Sequence, residues 1–128
     1  MNKIEQINFF IKNKHWIDFE FRKYKNDIVL IGSKDFTYYH EIEIIFKNVK
    51  KYSLEENWSV DTSKDFIIKT NEAYFINNED ISFEKHFLQA QEVIFNTDTV
   101  FYYKRDNLKE GERLADFIIK ESGVPPRE

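Results

Sequence analysis

The sequence FTYYHEIEIIFKNV, residues 36 to 49, carries the clearest strand pattern in the chain. Large or apolar side chains alternate with mostly polar ones through its centre. One face holds Tyr38, His40, Ile42, Ile44 and Phe46, and the other holds Tyr39, Glu41, Glu43, Ile45 and Lys47. Because the side chains of a strand point alternately to its two faces, this pattern predicts a half-buried β-strand. We expect the rest of the chain to be arranged around this strand.

The segment before this stretch predicts two more strands. Ile17, Phe19 and Phe21 alternate with charged residues, and the sequence Lys-Asn-Asp at 25 to 27 is typical of a turn. Residues 28 to 31 are a continuous apolar run, as in a strand that is covered on both faces. Residues 16 to 47 therefore predict a three-stranded antiparallel meander.

A helix is predicted at the N-terminus, over residues 2 to 14. Asn2 can cap it, and Glu5 stands three positions later, which is the spacing of a capping box. Apolar residues recur at helical spacing on one face, namely Ile4, Ile7, Phe10 and Ile11. We expect this apolar face to pack on the sheet.

A second helix is predicted near the C-terminus. Asn107 is its expected cap with Glu110 three residues later, and Gly123 followed by Pro125-Pro126 is expected to end it. Its predicted buried face consists of Leu114, Phe117 and Ile118.

Between the meander and this helix the pattern is less regular. Residues 51 to 65 predict a long polar loop, and residues 66 to 76 predict two short strands joined by a turn. Residues 81 to 95 fit either a helix or a strand, with the strand favoured, and residues 92 to 104 predict a hairpin that turns at 96 to 99.

These elements predict one α+β domain that spans residues 1 to 128. It consists of a largely antiparallel β-sheet, with the N-terminal and C-terminal helices packed on one face.

Composition narrows the classes of function. The chain has no cysteine, which excludes disulfides, thiolate metal sites and cysteine nucleophiles. Its net charge is −4 and its basic residues are dispersed, so we expect no nucleic-acid binding. No apolar stretch approaches the length of a membrane span, and the N-terminus lacks the pattern of a secretory signal. We expect a cytoplasmic protein.

Residues that could carry catalysis are few. His40, Glu41 and Glu43 are close in sequence, but on a regular strand His40 points away from both glutamates, so we expect no metal site there. Glu43, Asp65 and Lys69 do not form the pattern of a metal-dependent nuclease. The chain also lacks a glycine-rich phosphate loop and a serine-nucleophile motif. We therefore predict no enzymatic activity and no cofactor.

Carboxylates are concentrated in and near the predicted polar loop. They surround a tryptophan that either is exposed as an anchor for a partner or folds back as a lid on the core. The candidate partner-binding residues are Glu55, Glu56, Trp58, Asp61, Asp65, Glu79 and Asp80. Such a surface favours a basic protein partner.

Three stretches together resemble small bacterial immunity proteins, which are encoded beside polymorphic or contact-dependent toxins. They are YYHEIEIIFKNV at 38 to 49, the acidic loop with Trp58, and QAQEVIFN at 89 to 96. The resemblance implies a cytosolic, non-enzymatic protein that binds the C-terminal catalytic domain of a toxin and blocks it.

Three alternatives remain open, the third being a metal-dependent enzyme in which His40 or Glu43 would meet further ligands across strands. The first is a small β-domain that binds an apolar ligand, in a pocket lined by Tyr38, Tyr74, Phe101 and Tyr103. The second is an accessory subunit of a larger complex, which would present an exposed apolar patch.

Overall fold

A computed structural model of the chain describes residues 1–121, so the predicted helix end at Gly123 and the prolines after it lie outside the described residues. The helices are α1 (Lys3–Lys12) and α2 (Asp116–Glu121). The strands are β1 (Asp18–Tyr24), β2 (Asp27–Ser33), β3 (Tyr39–His40), β4 (Ile42–Lys47), β5 (Lys51–Ser53), β6 (Asn57–Ser59), β7 (Ile67–Lys69), β8 (Tyr74–Ile76), β9 (Phe87–Gln89), β10 (Glu92–Asn96), β11 (Thr99–Phe101) and β12 (Glu112–Leu114).

The N-terminal helix forms as predicted. The Asn2 side chain accepts a hydrogen bond from the Glu5 backbone N–H at 2.9 Å, and the Glu5 carboxylate accepts from the Asn2 N–H, which completes the capping box. The helix packs against β7 and β10. The buried Asn8 amide also pairs with the backbone of Ile67, donating to its carbonyl at 3.0 Å and accepting from its N–H at 2.8 Å. This side chain therefore covers the free edge of β7.

The predicted meander is the centre of the largest sheet. The order of strands is β10-β4-β2-β1-β6, and every pair is antiparallel. Gly32 pairs with Phe19 on one side and with Ile42 on the other. A side chain at Gly32 would come within 2.7 Å of the Phe19 ring and 2.8 Å of Ile42, so these side chains pack directly over the glycine.

The strand pattern of residues 36–49 belongs to a long antiparallel ribbon, in which residues 39–53 pair with residues 87–101. The ribbon contains the pairs β3–β11, β4–β10 and β5–β9, and each pair lies in a different sheet. One extra residue interrupts the pairing at two places. Residues 97–99 lie opposite 41–42, and residues 48–50 lie opposite 90–91. Such bulges bend a ladder and separate it into sheets.

The ribbon shows that the predicted hairpin over 92 to 104 is wrong. Strands do form at β10 and β11, but they pair with β4 and β3 and not with each other. The polar residues 96 to 99 were expected to form a turn, and instead they contain the extra residue of a bulge.

A four-stranded sheet has the order β5-β9-β8-β7. It confirms the hairpin predicted for residues 66 to 76. Residues 81 to 95 contain a short 3₁₀ turn at Phe83–Lys85 followed by β9 and β10, which confirms the strand interpretation. The predicted loop over 51 to 65 contains β5 and β6.

The C-terminal helix prediction is wrong over most of its length. Asn107 and Gly111 have positive φ angles of 58° and 79°, which a right-handed helix does not accommodate. Leu114 lies in β12, which runs parallel to β11, and α2 begins at Asp116. Of the residues predicted to be buried on this helix, Ile118 is buried while Phe117 is half exposed.

The fold is thus α+β and dominated by antiparallel sheets, and its apolar side chains form two cores. The main core contains α1 side chains with Phe19, Phe46 and Phe66, whereas Ile118 of α2 joins a small second core with Val100 and Ala115. The two helices therefore contribute to different cores and do not share one face. Neither helix within residues 1–121 has the length and hydropathy needed to cross a membrane.

Candidate functional site

Trp58 lies in the core, so of the two alternatives that the sequence leaves open, the lid interpretation holds. Its side chain is 6% exposed and stacks on Phe19 with a ring separation of 5.9 Å. Its indole N–H donates to the carbonyl of Asn77 at 3.0 Å. Trp58 therefore anchors β6 in the core. The segment that follows β6, residues 60–65, is called the acidic loop below. Trp58 itself offers no surface for a partner.

Asn77 holds this loop in place. Its side chain is buried, and its amide nitrogen donates to the carbonyls of Asp61 at 2.9 Å and Asp65 at 3.1 Å. The Asp61 N–H in turn donates to the Asn77 side-chain oxygen at 3.2 Å. Within residues 77–80, Asn77 and Asn78 are buried and Glu79 and Asp80 are exposed. A neutral buried amide thus fixes the positions of the nearby carboxylates.

Three of the predicted carboxylates meet at one groove. Asp61, Glu79 and Asp80 line a depression of about 290 Å³ together with Lys64 and Phe83. The Glu79 N–H donates to the carbonyl of Ser59 at 3.0 Å, which links this side of the groove to β6. The Ser63 hydroxyl and N–H donate to the Asp61 carboxylate and lower its pKa, so Asp61 is fully ionised at neutral pH.

The other predicted carboxylates lie outside this groove. Glu55 and Glu56 are exposed between β5 and β6, where the Glu55 N–H donates to the ring of His86 at 3.1 Å. Asp65 is paired with Lys12 of α1 at 2.6 Å. We call Glu55, Glu56, Asp61, Asp65, Glu79 and Asp80 together the acidic surface.

An exposed tryptophan does flank the acidic surface, but it is Trp16. Half of this residue is exposed. The carbonyl of His15, its neighbour in the chain, accepts a hydrogen bond from the Thr62 hydroxyl at 3.4 Å, which places this segment beside the acidic loop. Sequence reasoning missed Trp16 because it begins a strand pattern, and only the fold brings that strand next to residues 61 to 65.

A second group of polar residues is partly buried around His40, at the first bulge of the ribbon. His40 donates from Nε2 to the Glu43 carboxylate at 2.7 Å, and its Nδ1 contacts the Tyr102 hydroxyl. Arg113 donates to the same carboxylate at 2.6 Å. We call His40, Glu43, Tyr102 and Arg113 the buried charge cluster. The prediction that His40 points away from Glu43 is wrong, because the ladder breaks at Glu41 and turns the two side chains toward each other.

The cluster keeps the Glu43 carboxylate ionised and the Tyr102 hydroxyl protonated. Burial alone would raise the pKa of Glu43, but hydrogen bonds from His40 and Asn96 and the Arg113 guanidinium lower it to about 2. Burial raises the pKa of Tyr102, so this hydroxyl keeps its proton. Glu43 of the first sheet is bonded to His40 of β3 and to Arg113 of β12, and His40 contacts Tyr102 after β11, so the cluster links the first sheet to the sheet of the second core.

No group of three or more metal-binding side chains occurs within the described residues. Glu43, Asp65 and Lys69 each contact a different partner: Arg113, Lys12 and the ring of Tyr74.

Of the aromatic residues proposed for an apolar pocket, Tyr74 lies apart from the other three. Tyr38 and Tyr103 are exposed and meet edge to face at 6.0 Å, and Phe101 contacts Tyr103 beneath the Arg105 guanidinium. Tyr74 is buried against Phe46 in the main core. Tyr38 and Tyr103 therefore form an exposed outer patch above the buried Phe101, and Tyr74 is not part of it.

Comparisons of the chain with protein-family models, curated proteins and solved structures find no match.

Proposed function

We propose that this chain is a non-enzymatic, cytoplasmic immunity protein that binds and inhibits a toxin domain through the acidic surface. The observation that carries the proposal is the groove of Asp61, Glu79 and Asp80 on a loop that Asn77 and Trp58 fix from inside. Because the backbone is already ordered, little conformational entropy is lost when a partner binds. The resemblance of the sequence to immunity proteins agrees with this function.

The partner that fits is a basic domain, such as the C-terminal domain of a nuclease toxin. Carboxylates that stay ionised on an exposed rim accelerate encounter with a basic protein and disfavour acidic ones. Trp16 provides the half-exposed aromatic side chain that interfaces commonly use as an anchor.

The first experiment is to capture partners with the tagged protein in its native cell, at moderate and then at high salt. We expect one stoichiometric basic partner whose retention falls as salt rises, identified by mass spectrometry. The captured domain should lose its toxicity when it is co-expressed with this chain. A bait that stays free and monomeric at moderate salt would contradict the proposal.

The second experiment locates the interface. The triple variant Glu55→Lys, Glu56→Lys, Asp61→Lys should bind the captured domain at least about tenfold more weakly, with a flatter salt dependence. The separate variant Trp16→Ala should weaken binding without changing the salt dependence. The matched control is Glu72→Lys, Glu84→Lys, Glu92→Lys, three exposed glutamates elsewhere. Equal losses in the triple variant and in the control would remove the acidic surface from the interface.

An accessory-subunit role is the second candidate, favoured by the outer patch of exposed Tyr38 and Tyr103 with Arg105. Tyrosine and arginine are common at the centres of interfaces. Under this candidate, Tyr38→Ser with Tyr103→Ser would abolish capture of a partner while the triple charge reversal would leave capture intact.

A further inference from the structure

His86 is a buried histidine whose ring connects the main core to the acidic surface. Only 1% of the residue is exposed, and its ring meets the indole of Trp58 edge to face at 4.7 Å. Both ring nitrogens have partners. Nδ1 lies 3.2 Å from the carbonyl oxygen of Ile76, and Nε2 lies 3.1 Å from the backbone nitrogen of Glu55. A titratable ring therefore holds one of the residues of the acidic surface in place.

These two partners define the protonation state of the ring. A carbonyl oxygen only accepts a hydrogen bond, so Nδ1 carries a proton and donates to Ile76. A backbone N–H only donates, so Nε2 carries no proton and accepts from Glu55. A proton added to Nε2 would set two N–H groups against each other. The bond between His86 and Glu55 therefore exists only while the ring is neutral.

The ring itself is fixed on β8. The Ile76 N–H donates to the backbone carbonyl of His86 at 2.8 Å, and the Nδ1 of His86 donates back to the carbonyl of Ile76. Trp58, which packs against the ring, is in turn fixed by the bond from its indole N–H to Asn77. When Nε2 gains a proton, the ring thus cannot move aside, and Glu55 must yield.

Glu55 lies in the short connection between β5 and β6, and residues on both sides of it are held. The Ser53 hydroxyl donates to the carbonyl of Lys85 at 2.9 Å, and Leu54 packs against the main core. On the other side, Trp58 of β6 is buried. Glu55 itself is exposed, so solvent can take over its backbone N–H when the bond to the ring is lost.

The charges around the ring set the pH range. Burial lowers the pKa of His86 below its ordinary value of 6.5, and the bond to Ile76 and the Glu55 carboxylate oppose this. The ring therefore gains its proton as pH falls below about 6.5. β6 and β8 place uncharged side chains, Trp58 and Ile76, next to it. The charged residues on the other elements around the ring are all exposed: Glu55, Glu56, Glu84 and Lys85.

We propose that protonation of His86 releases Glu55, so that this end of the acidic surface responds to pH while the groove of Asp61, Glu79 and Asp80 does not. The groove is supported by the Asn77 amide, which has no proton to gain in this range. The acidic surface then has a permanent part and a part that is ordered only near neutral pH. The consequence for a partner rests on the proposed function, but the release does not.

NMR on the protein alone tests the release, between neutral pH and about pH 5. We expect the His86 ring and the Glu55 amide to shift with one common midpoint. The hydrogen-exchange protection of the Glu55 amide should fall at least about tenfold across this midpoint. The Asp61 amide, which donates to the Asn77 side chain, should show no transition there.

Two variants separate loss of the acceptor from gain of the proton. His86→Gln provides a side-chain oxygen that can accept from the Glu55 N–H at every pH, so the Glu55 transition should disappear while the amide stays protected. His86→Leu has no acceptor, so the Glu55 amide should lack protection at neutral pH as well. The matched control is His15→Gln, an exposed histidine, which should leave the transition unchanged. If neither His86 variant folds, the native titration decides.

Three results would overturn the proposal. The first is a Glu55 amide that keeps its shift and protection while the His86 ring gains its proton. The second is a ring that gains its proton only when the whole chain unfolds. The third is a Glu55 transition at the same midpoint in His86→Gln.

A binding measurement distinguishes this proposal from the proposed function. The affinity for the captured domain, measured by calorimetry, should fall with pH across the His86 midpoint in the native protein and stay level in His86→Gln. If both proteins show the same pH dependence while the Glu55 transition is present in the native protein, Glu55 is not in the interface. That result would count against the proposed interface and not against the release.

Discussion

The acidic surface and the buried charge cluster both contain carboxylates and use them in opposite ways. In the acidic surface, a neutral amide is buried at Asn77 and the carboxylates of Asp61, Glu79 and Asp80 remain in solvent. In the buried charge cluster, Glu43 is largely shielded from solvent, and its carboxylate accepts hydrogen bonds from His40 and Arg113. The first arrangement leaves charge available to a partner, and the second uses it to join parts of one chain. Counting carboxylates in the sequence does not separate the two.

Among the variants that test this comparison, Glu43→Gln is expected to lower the free energy of unfolding the most. The substitution keeps the shape of the side chain but leaves Arg113 and His40 facing a neutral group. Removing one partner from an enclosed ion pair is costly, and we expect a loss of about 3 kcal/mol in the free energy of unfolding. Urea denaturation measures this, with the exposed Glu92→Gln on β10 as the control.

If the cluster joins the two cores, amides of β11 and β12 in the Glu43→Gln variant should exchange faster than those of β1 and β2. A variant as stable as the control would show that the cluster is not a structural tie.

A smaller loss of stability is expected from Asn77→Ala. Three hydrogen bonds to the backbone of Asp61 and Asp65 disappear, so we expect a cost of about 2 kcal/mol. Asn71→Ala in the exposed turn of the β7–β8 hairpin is the control. Unlike Glu43→Gln, this variant should also weaken partner binding while still folded, because the acidic loop loses its support.

Calorimetry on the folded Asn77→Ala variant measures its affinity for the captured domain. A weaker affinity would show that the acidic surface, unlike the buried charge cluster, takes part in binding. Unchanged affinity would mean that the order of the loop is not needed for recognition.

The smallest effect on stability is expected from a change of pH. It occurs in two separate pH ranges, one set by His86 and one by Glu43. Burial lowers the pKa of His86 below its ordinary value of 6.5, so the folded state holds the neutral ring. Because the unfolded chain binds a proton on this ring more readily than the folded chain does, the free energy of unfolding decreases as pH falls below about 6.5. Glu43 acts in a lower window: its folded pKa of about 2 lies below the ordinary 4.5, so its contribution is lost as pH falls from 4.5 toward 2.

Thermal denaturation across pH separates these windows. His86→Gln should flatten the decline that begins near the ordinary pKa of histidine and leave the lower one, whereas Glu43→Gln should flatten only the lower one. A His86→Gln profile that parallels the native one would exclude His86 as the titrating group.

The sequence predicted those elements whose signals are local. The capping box of Asn2 and Glu5, the meander over 16 to 47 and the hairpin over 66 to 76 each depend on neighbours a few residues apart, and all three form. The helix predicted from Asn107 also rested on local signals, but positive φ angles and a parallel pairing with β11 override them.

The candidate site was predicted less well, because long-range contacts decide it. The residue types of the acidic surface were found, and the groove unites only some of them. Trp58 is drawn into the core by Phe19 and Asn77, and Trp16 is brought to the surface beside Thr62. Glu43 and Arg113 are 70 residues apart in the chain, so no spacing rule connects them.

The long ribbon has a consequence for synthesis of the chain. Each of the three sheets contains one strand from residues 39–53 and one from residues 87–101. Closing the ribbon joins segments that are far apart in sequence, which is slow compared with forming the local hairpins. The sheet that includes β11 also contains β12, so it cannot be complete on the ribosome until residue 114 has left the exit tunnel. The β1–β2–β4 meander emerges first, with the edge of β4 that β10 later covers still unpaired, so this half-made sheet is the stage at which a nascent chain most needs protection from aggregation.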